Sequence, residues 1–161
     1  AEQVAVLGNG NVALDVARML AKHADDLLVT DIPDNVYQAK YCELWKVQKD
    51  FAWFPATKIF INKDLKNKLY NAFKELETNN LQSEIKTFDG CFQQRTVRGS
   101  DMISLHSWAM AIDINASTEK LGQVKSTLSP KFIEIMLKNG LFWGGNYKGR
   151  KDPMHFSLYN G

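Results

Sequence analysis

Cysteine is scarce. Cys42 and Cys91 are the only two in 161 residues, with neither a C-x-x-C pair nor the dense spacing of a small disulfide-stapled domain. A single domain of this length buries about two-thirds of the surface its unfolded chain exposes, so it can fold without staples, and reduced thiols in a protein made in the cytosol are the expectation. Long apolar runs are missing too. No stretch approaches the roughly 20 residues a bilayer-spanning helix requires, and no charged start followed by an apolar stretch and a small-residue cleavage site marks a secretory signal. There is no dense basic run either. The 20 Lys and Arg against 18 Asp and Glu leave a net charge of +2, which admits an anionic partner but gives nucleic acid no footprint. A hydrophobic fraction of 45% excludes disorder.

The first stretch reads as strand, glycine turn, helix. Residues 4–7 (Val-Ala-Val-Leu) are apolar, and Gly8-Asn-Gly10-Asn-Val-Ala13 leads into an amphipathic run through Val16, Leu20 and Ala21. This is the G-x-G-x-x-A form of the dinucleotide fingerprint, whose glycines let backbone approach a pyrophosphate at a helix N-terminus. Residues 6–18 resemble the NADP-binding segment of adrenodoxin-reductase-type flavoproteins, and the resemblance ends near Ile32. A working dinucleotide crevice needs neighbouring parallel strands, and no further βαβ alternation follows. Residues 1–36 are therefore expected to be an appended βα segment and residues 37–161 the functional domain. An NADP-binding fragment remains a third functional reading, with no cofactor-binding residue assigned.

Residues 33–57 look loop-rich and aromatic, with Tyr37, Tyr41, Trp45, Phe51, Trp53 and Phe54 between Pro33 and Pro55. Core packing is the expected use of these rings, and cleft lining the alternative. Residues 58–61 read as a strand, with Asn62 or Asp64 capping a helix whose Leu65, Leu69, Ala72, Phe73 and Leu76 share one face. Residues 85–88 and 91–95 read as strand pieces around a turn at Asp89-Gly90. Later, Ser129-Pro130 starts a helix that buries Phe132, Ile135 and Met136 and ends at Asn139-Gly140. At Gly144-Gly145 small residues let the backbone pass close to something, either a tight turn or a substrate.

The chemistry concentrates in two stretches. Ser104-Leu-His-Ser-Trp-Ala-Met-Ala-Ile-Asp113 presents an imidazole and, seven positions on, a carboxylate; Asp152-Pro-Met-His155 adds a second pair. In residues 109–114 alternation puts Met110, Ile112 and Ile114 on one strand face and Asp113 on the other. Two histidines and a carboxylate make three protein ligands for a tetrahedral Zn2+ whose fourth position stays open for water. Asp152 is the candidate base. Arg95 and Arg98, just upstream, have a guanidinium's choice of holding a substrate carboxylate, stabilising an oxyanion, or pairing with Asp89 or Asp101 on the surface.

These residues resemble the M15 peptidase family of D-alanyl-D-alanine carboxypeptidases and phage L-alanyl-D-glutamate endopeptidases. The pattern S-x-H-x-x-G-x-A-x-D is met at Ser104, His106, Ala111 and Asp113, and D-x-x-H-F at Asp152, His155 and Phe156. Residues 88–92, 98–100 and 143–149 look like its phage and prophage branch. The resemblance implies His106, Asp113 and His155 as zinc ligands, Asp152 as general base and acid, and Arg95 as the arginine that stabilises the transition state. It implies an α+β fold, Hedgehog/DD-peptidase-like, with a small antiparallel sheet and packed helices. The implied partner is the peptidoglycan stem peptide, cut by a monomer with no nucleic-acid or membrane partner. An endolysin of this kind would be made in the host cytoplasm without a signal peptide and act on the wall after release. Two positions depart from the pattern. Ala109 replaces a glycine, which costs energy only where φ is positive, and Ser157 stands where an acidic residue often supports the histidine. A rival reading is a metal-containing wall-binding module without turnover.

Overall fold

The structure, a computed structural model, describes residues 35–161. The glycine fingerprint of residues 8–13, and with it the expected βα appendage and the NADP resemblance, lies outside the described residues. The chain enters through helix α1 (Asn35–Tyr41), strand β1 (Cys42–Trp45), the single-turn helix α2 (Val47–Asp50) and strand β2 (Ile59–Asn62). β1 and β2 form an antiparallel pair with Cys42 opposite Asn62 and Trp45 opposite Ile59. Asn62 then caps helix α3 (Lys63–Thr78), its side chain accepting from the backbone N–H of Asp64 and Leu65 and so satisfying two of the donors every helix start leaves open.

The expected stripe of Leu65, Leu69, Ala72, Phe73 and Leu76 is buried. Phe73 is the hub of the aromatic run. Its ring lies 6.1 Å from Trp45, 5.5 Å from Phe51, 5.4 Å from Trp53 and 5.3 Å from Phe54. The rings of residues 37–54 therefore build core, and the segment holds two helices and a strand rather than the loops expected of it. Tyr37 joins the same core, its hydroxyl donating to the Trp108 carbonyl at 2.8 Å and accepting from the Asn62 amide at 3.0 Å.

A second sheet carries the chemistry. Its strands are β3 (Phe88–Gly90), β4 (Ala111–Ile114), β5 (Phe142–Trp143) and β6 (His155–Ser157), all antiparallel neighbours in the order β3-β4-β6-β5. Helix α4 (Pro130–Lys138) begins where the Ser129 side chain accepts from the Phe132 N–H, with Pro130 in the first turn, and buries Phe132, Ile135 and Met136. One apolar cluster runs from Tyr37 to Leu158 through both sheets and both long helices. The architecture is α+β with small antiparallel sheets and packed helices, as expected. No helix among the described residues is long and apolar enough to cross a membrane.

The hairpin expected around Asp89-Gly90 does not form. Phe88–Gly90 pairs with β4 instead, and residues 91–95 run on without ladder partners because a neighbouring turn takes their polar groups. Gln93 N–H donates to the His106 carbonyl at 3.0 Å, and Ser104 N–H donates to the Arg95 carbonyl at 3.0 Å. The Ser107 hydroxyl accepts from Arg95 N–H at 2.9 Å and donates to the Arg95 carbonyl at 2.8 Å. Side-chain bonds to backbone have replaced sheet pairing.

That turn is the 3-10 helix Leu105–Trp108, and it joins β4 through Ala109 at φ 53° and ψ 32°, the left-handed region. There the Ala109 and Met110 amides reach the His106 and Leu105 carbonyls, each at 3.1 Å. An L-residue pays about 1–2 kcal/mol for this conformation. Ala109→Gly relieves the strain but frees the unfolded chain by about 0.4–1 kcal/mol and deletes a buried methyl, so denaturant unfolding is expected to show a net change within about 1 kcal/mol. Ala109→Val adds a β-branch in the left-handed region and extra volume in the core; its expected loss exceeds about 2 kcal/mol.

Candidate metal centre

Register builds the centre. In the β4–β6 pair Asp113 stands directly opposite His155, so the two side chains leave the same face of the sheet. His106 arrives from the 3-10 turn, which Ser104 caps by accepting the His106 N–H. The three are brought together as expected, with one ligand atom from each within 4.8 Å of the others. His155 Nδ1 lies 3.2 Å from Asp113 Oδ1, and His106 Nε2 lies 3.2 Å from Asp113 Oδ2. Ligands held about 2.0–2.2 Å from one tetrahedral ion stand about 3.3–3.6 Å apart, close to these two imidazole–carboxylate separations.

Protonation sharpens the case. His106 Nδ1 lies 2.8 Å from the Cys91 carbonyl, and a carbonyl only accepts, so Nδ1 must carry the proton. In the neutral ring Nε2 is then a bare lone pair facing the Asp113 carboxylate. It is buried, and it has no hydrogen-bond partner among the described residues. Two lone pairs at that distance require a proton or a cation between them. Burial pushes the Asp113 carboxyl up, but the two imidazoles beside it, those of His106 and His155, outweigh burial and hold the group well below the ordinary carboxylate range. A carboxylate held in its ionised form between two imidazoles, one of them with an orphaned nitrogen, fits a divalent metal.

The triad opens onto a cleft of about 330 Å³ whose lining includes Arg95, Arg98 and Asp152. Asp152 Oδ1 is buried and has no hydrogen-bond partner among the described residues. Burial raises the pKa of this carboxyl and Asp113 adds to the rise, while His155, His106 and Arg95 pull it down; the net direction is up. Arg95 is half-buried and donates to neutral acceptors, Gln93 Oε1 and the Thr96 carbonyl, each at 3.2 Å. Neither Arg95 nor Arg98 pairs with Asp89, whose Oδ2 accepts from the Thr87 hydroxyl and the Ala116 N–H.

The segment before Asp152 contributes cleft residues that its sequence pattern does not mark. Tyr147 and Arg150 also line the cleft, and the glycines at 144, 145 and 149 were the available sign that this loop folds back on itself. The Asp152 N–H donates to the Gly144 carbonyl at 3.0 Å, and a Cβ on Gly144 would stand 2.2 Å from the Asp152 carbonyl oxygen. The close approach at Gly144 is thus a turn against the backbone of Asp152, not a substrate contact. Tyr147 rests its ring 6.1 Å from that of His155. Ser157 is fully buried and donates to the Tyr159 carbonyl at 2.6 Å, so the observed partner of the His155 imidazole is Asp113.

Comparison with known proteins agrees with this geometry. Residues 98–158 match the M15 peptidase family profile described as D-alanyl-D-alanine carboxypeptidase. A stretch of 38 residues is 55% identical to proteins of Mycobacterium bovis and Mycobacterium tuberculosis named "Probable ferredoxin/ferredoxin--NADP reductase". That match covers 24% of this chain and 7% of those relatives' length.

Removing a ligand side chain should be felt directly in metal affinity. His106→Ala and Asp113→Ala are each expected to weaken Zn2+ binding by at least about a hundredfold, measured by competition with a chromophoric chelator. Gly144→Ala forces the Asp152 backbone aside and is expected to cost about 1–3 kcal/mol in denaturant unfolding.

Proposed function

Residues 98–158 being a segment of the M15 peptidase family with its metal-binding triad assembled, we infer that this chain is a zinc-dependent peptidase of the bacterial peptidoglycan stem peptide. It hydrolyses an L-Ala–D-Glu or a D-Ala–D-Ala amide bond, and a phage or prophage endolysin is the setting that best suits the resemblance of residues 88–92 and 143–149. Residues 37–161 make up the peptidase unit in this reading, since Tyr37 already belongs to its core, and residues 1–36 are an appendage. The observation that carries it is the orphaned His106 Nε2 facing Asp113 in the same cleft as the orphaned Asp152 Oδ1.

Held by His106, Asp113 and His155, a Zn2+ ion would supply Lewis acidity, polarising a carbonyl and acidifying water near neutral pH. The chain's own groups supply the rest. Asp152 presents a carboxylate oxygen that nothing else in the described structure occupies, so it is free to take a proton from the attacking water and return it to the departing nitrogen. Its raised pKa brings it closer to the working pH and makes that return easier. The Arg95 guanidinium is close enough for its field to act on Asp152 and is engaged only by neutral acceptors, which leaves its charge for the carbonyl oxygen as it becomes anionic. Apolar cleft walls, among them Met102, Ile103 and Met154, strengthen these interactions by keeping water sparse.

Digestion of purified cell walls tests the reading. New free amines should appear, vanish with chelator and return with Zn2+, and mass spectrometry of the released muropeptides names the bond. Wall binding without new amines would instead establish the binding-module alternative. Asp152→Asn is expected to lower kcat by about a hundredfold or more while the protein retains its metal. Asp152 works as a base only when ionised, so kcat/KM should fall as pH drops through its pKa, and removing a cation that pulls this pKa down should shift the acid limb. Arg95→Ala is thus expected to move that limb to higher pH, and Arg95→Lys to restore it towards wild type.

A further inference from the structure

Positive charge is unevenly placed along the chain. Residues 120–151 hold seven of the 20 Lys and Arg and a single acid, Glu134, whereas the other described residues carry bases and acids in equal number. Within that span the two lysines of helix α4 are already paired, Lys131 with Glu134 at 3.4 Å and Lys138 with Glu75 at 2.6 Å. The surplus therefore falls on two loops, one with Lys120 and Lys125, the other with Lys148, Arg150 and Lys151. A backbone bond joins them, the Gly122 N–H donating to the Lys151 carbonyl at 2.6 Å. Lys151 turns inward onto the Tyr147 carbonyl. Lys120, Lys125 and Lys148 stand exposed, and their ammonium groups make no hydrogen bond or ion pair with any described residue. Glu119, the acid next to Lys120, is fully buried; its carboxylate accepts from the Ser126 hydroxyl at 2.6 Å, the Thr127 N–H at 2.7 Å and the Thr127 hydroxyl. It builds the loop from within and leaves the lysines on the outside uncovered.

The same two loops send Leu121 and Arg150 into the cleft lining, so the basic rim borders the site without being part of it. Ammonium heads act as point charges and suit phosphate, whereas two-bond recognition of a carboxylate calls for a guanidinium's fork. Three such heads spread over two joined loops match an anion repeated along a flexible chain better than one small anion. We propose that Lys120, Lys125 and Lys148 dock a phosphodiester-linked anionic polymer of the bacterial wall, which holds the protein on the wall with its cleft beside the stem peptides. The wall as the setting is taken from the peptidase reading; the docking is a separate interaction, made outside the cleft. Cations that replace the small counterions of a polyanion release them, so the binding is salt-dependent, and a loop already folded around Glu119 loses little freedom on docking. A lipid surface would call for apolar side chains to insert beside the cations, and in these two loops Val124 is the only exposed large apolar residue.

The test is cosedimentation of the zinc-loaded full chain with purified walls rich in such a polymer, before and after hydrofluoric acid has cleaved its phosphodiesters. Wild type should bind untreated walls about tenfold or more tightly than stripped ones, and the difference should shrink as salt is raised. Lys120→Glu/Lys125→Glu/Lys148→Glu should lose about tenfold or more on untreated walls and little on stripped ones, with kcat/KM on a soluble stem peptide within about twofold of wild type. Lys120→Gln/Lys125→Gln/Lys148→Gln removes the charges without reversing them and should move binding the same way by less, while Lys120→Arg/Lys125→Arg/Lys148→Arg should keep it. Equal wild-type binding to both wall preparations, or full wall binding by both the Glu and the Gln variants, overturns the proposal and leaves the peptidase reading standing. A wild type that cuts no stem peptide overturns the peptidase reading instead, and sedimentation still decides the docking.

Discussion

A buried imidazole lone pair facing a half-buried carboxylate is the constraint around which this site is arranged. The proton on His106 Nδ1 is fixed by the Cys91 carbonyl, which leaves Nε2 bare 3.2 Å from a carboxylate. Such an arrangement is unfavourable in a protein interior unless positive charge lies between the partners. His155, opposite Asp113 across the β4–β6 ladder, completes a triad whose spacing suits a tetrahedral ion. Backbone hydrogen bonding thus sets the chemistry: a ladder register fixes two ligands, and one carbonyl outside the sheet fixes the tautomer of the third.

Local strain and lost pairing around the site follow from that requirement. To bring His106 over the sheet, the chain makes a 3-10 turn and leaves it through a left-handed Ala109, the position at which the family pattern has glycine. Residues 91–95 give up sheet pairing so that their polar groups can hold the turn. On the other side of the cleft, Gly144 lets the backbone of Asp152 approach closer than any side chain would permit. Conformational cost of this kind collects where a site must be held in one geometry. The aromatic core around Phe73 and the stripes of α3 and α4 supply the burial that offsets it.

The cleft divides its charges by function. Asp113 is held well below the ordinary carboxylate range by the two imidazoles beside it, whereas burial, with Asp113 nearby, raises the pKa of Asp152. Two carboxylates in one cleft pushed in opposite directions are suited to different work. Arg95, Arg98 and Arg150 line the same cleft, the last two exposed to solvent.

Much was legible in the order of residues alone. Periodicity and end-capping chemistry marked α3 and α4, because a helix buries every third or fourth side chain and needs acceptors for its first amides. Alternation marked β4 and put Asp113 on the face away from Met110 and Ile112. Spacing of histidines and acids, together with a family resemblance, named the triad, Asp152 and Arg95. Tertiary structure decided what depends on contacts between distant segments: that Cys91 orients His106, that Gly144 packs on Asp152, that residues 91–95 pair with a turn rather than a strand, and that Tyr147 and Arg150 enter the cleft. Local sequence records a residue's own backbone preference and burial. It does not record which carbonyl, fifteen or more positions away, will stand at the end of its side chain.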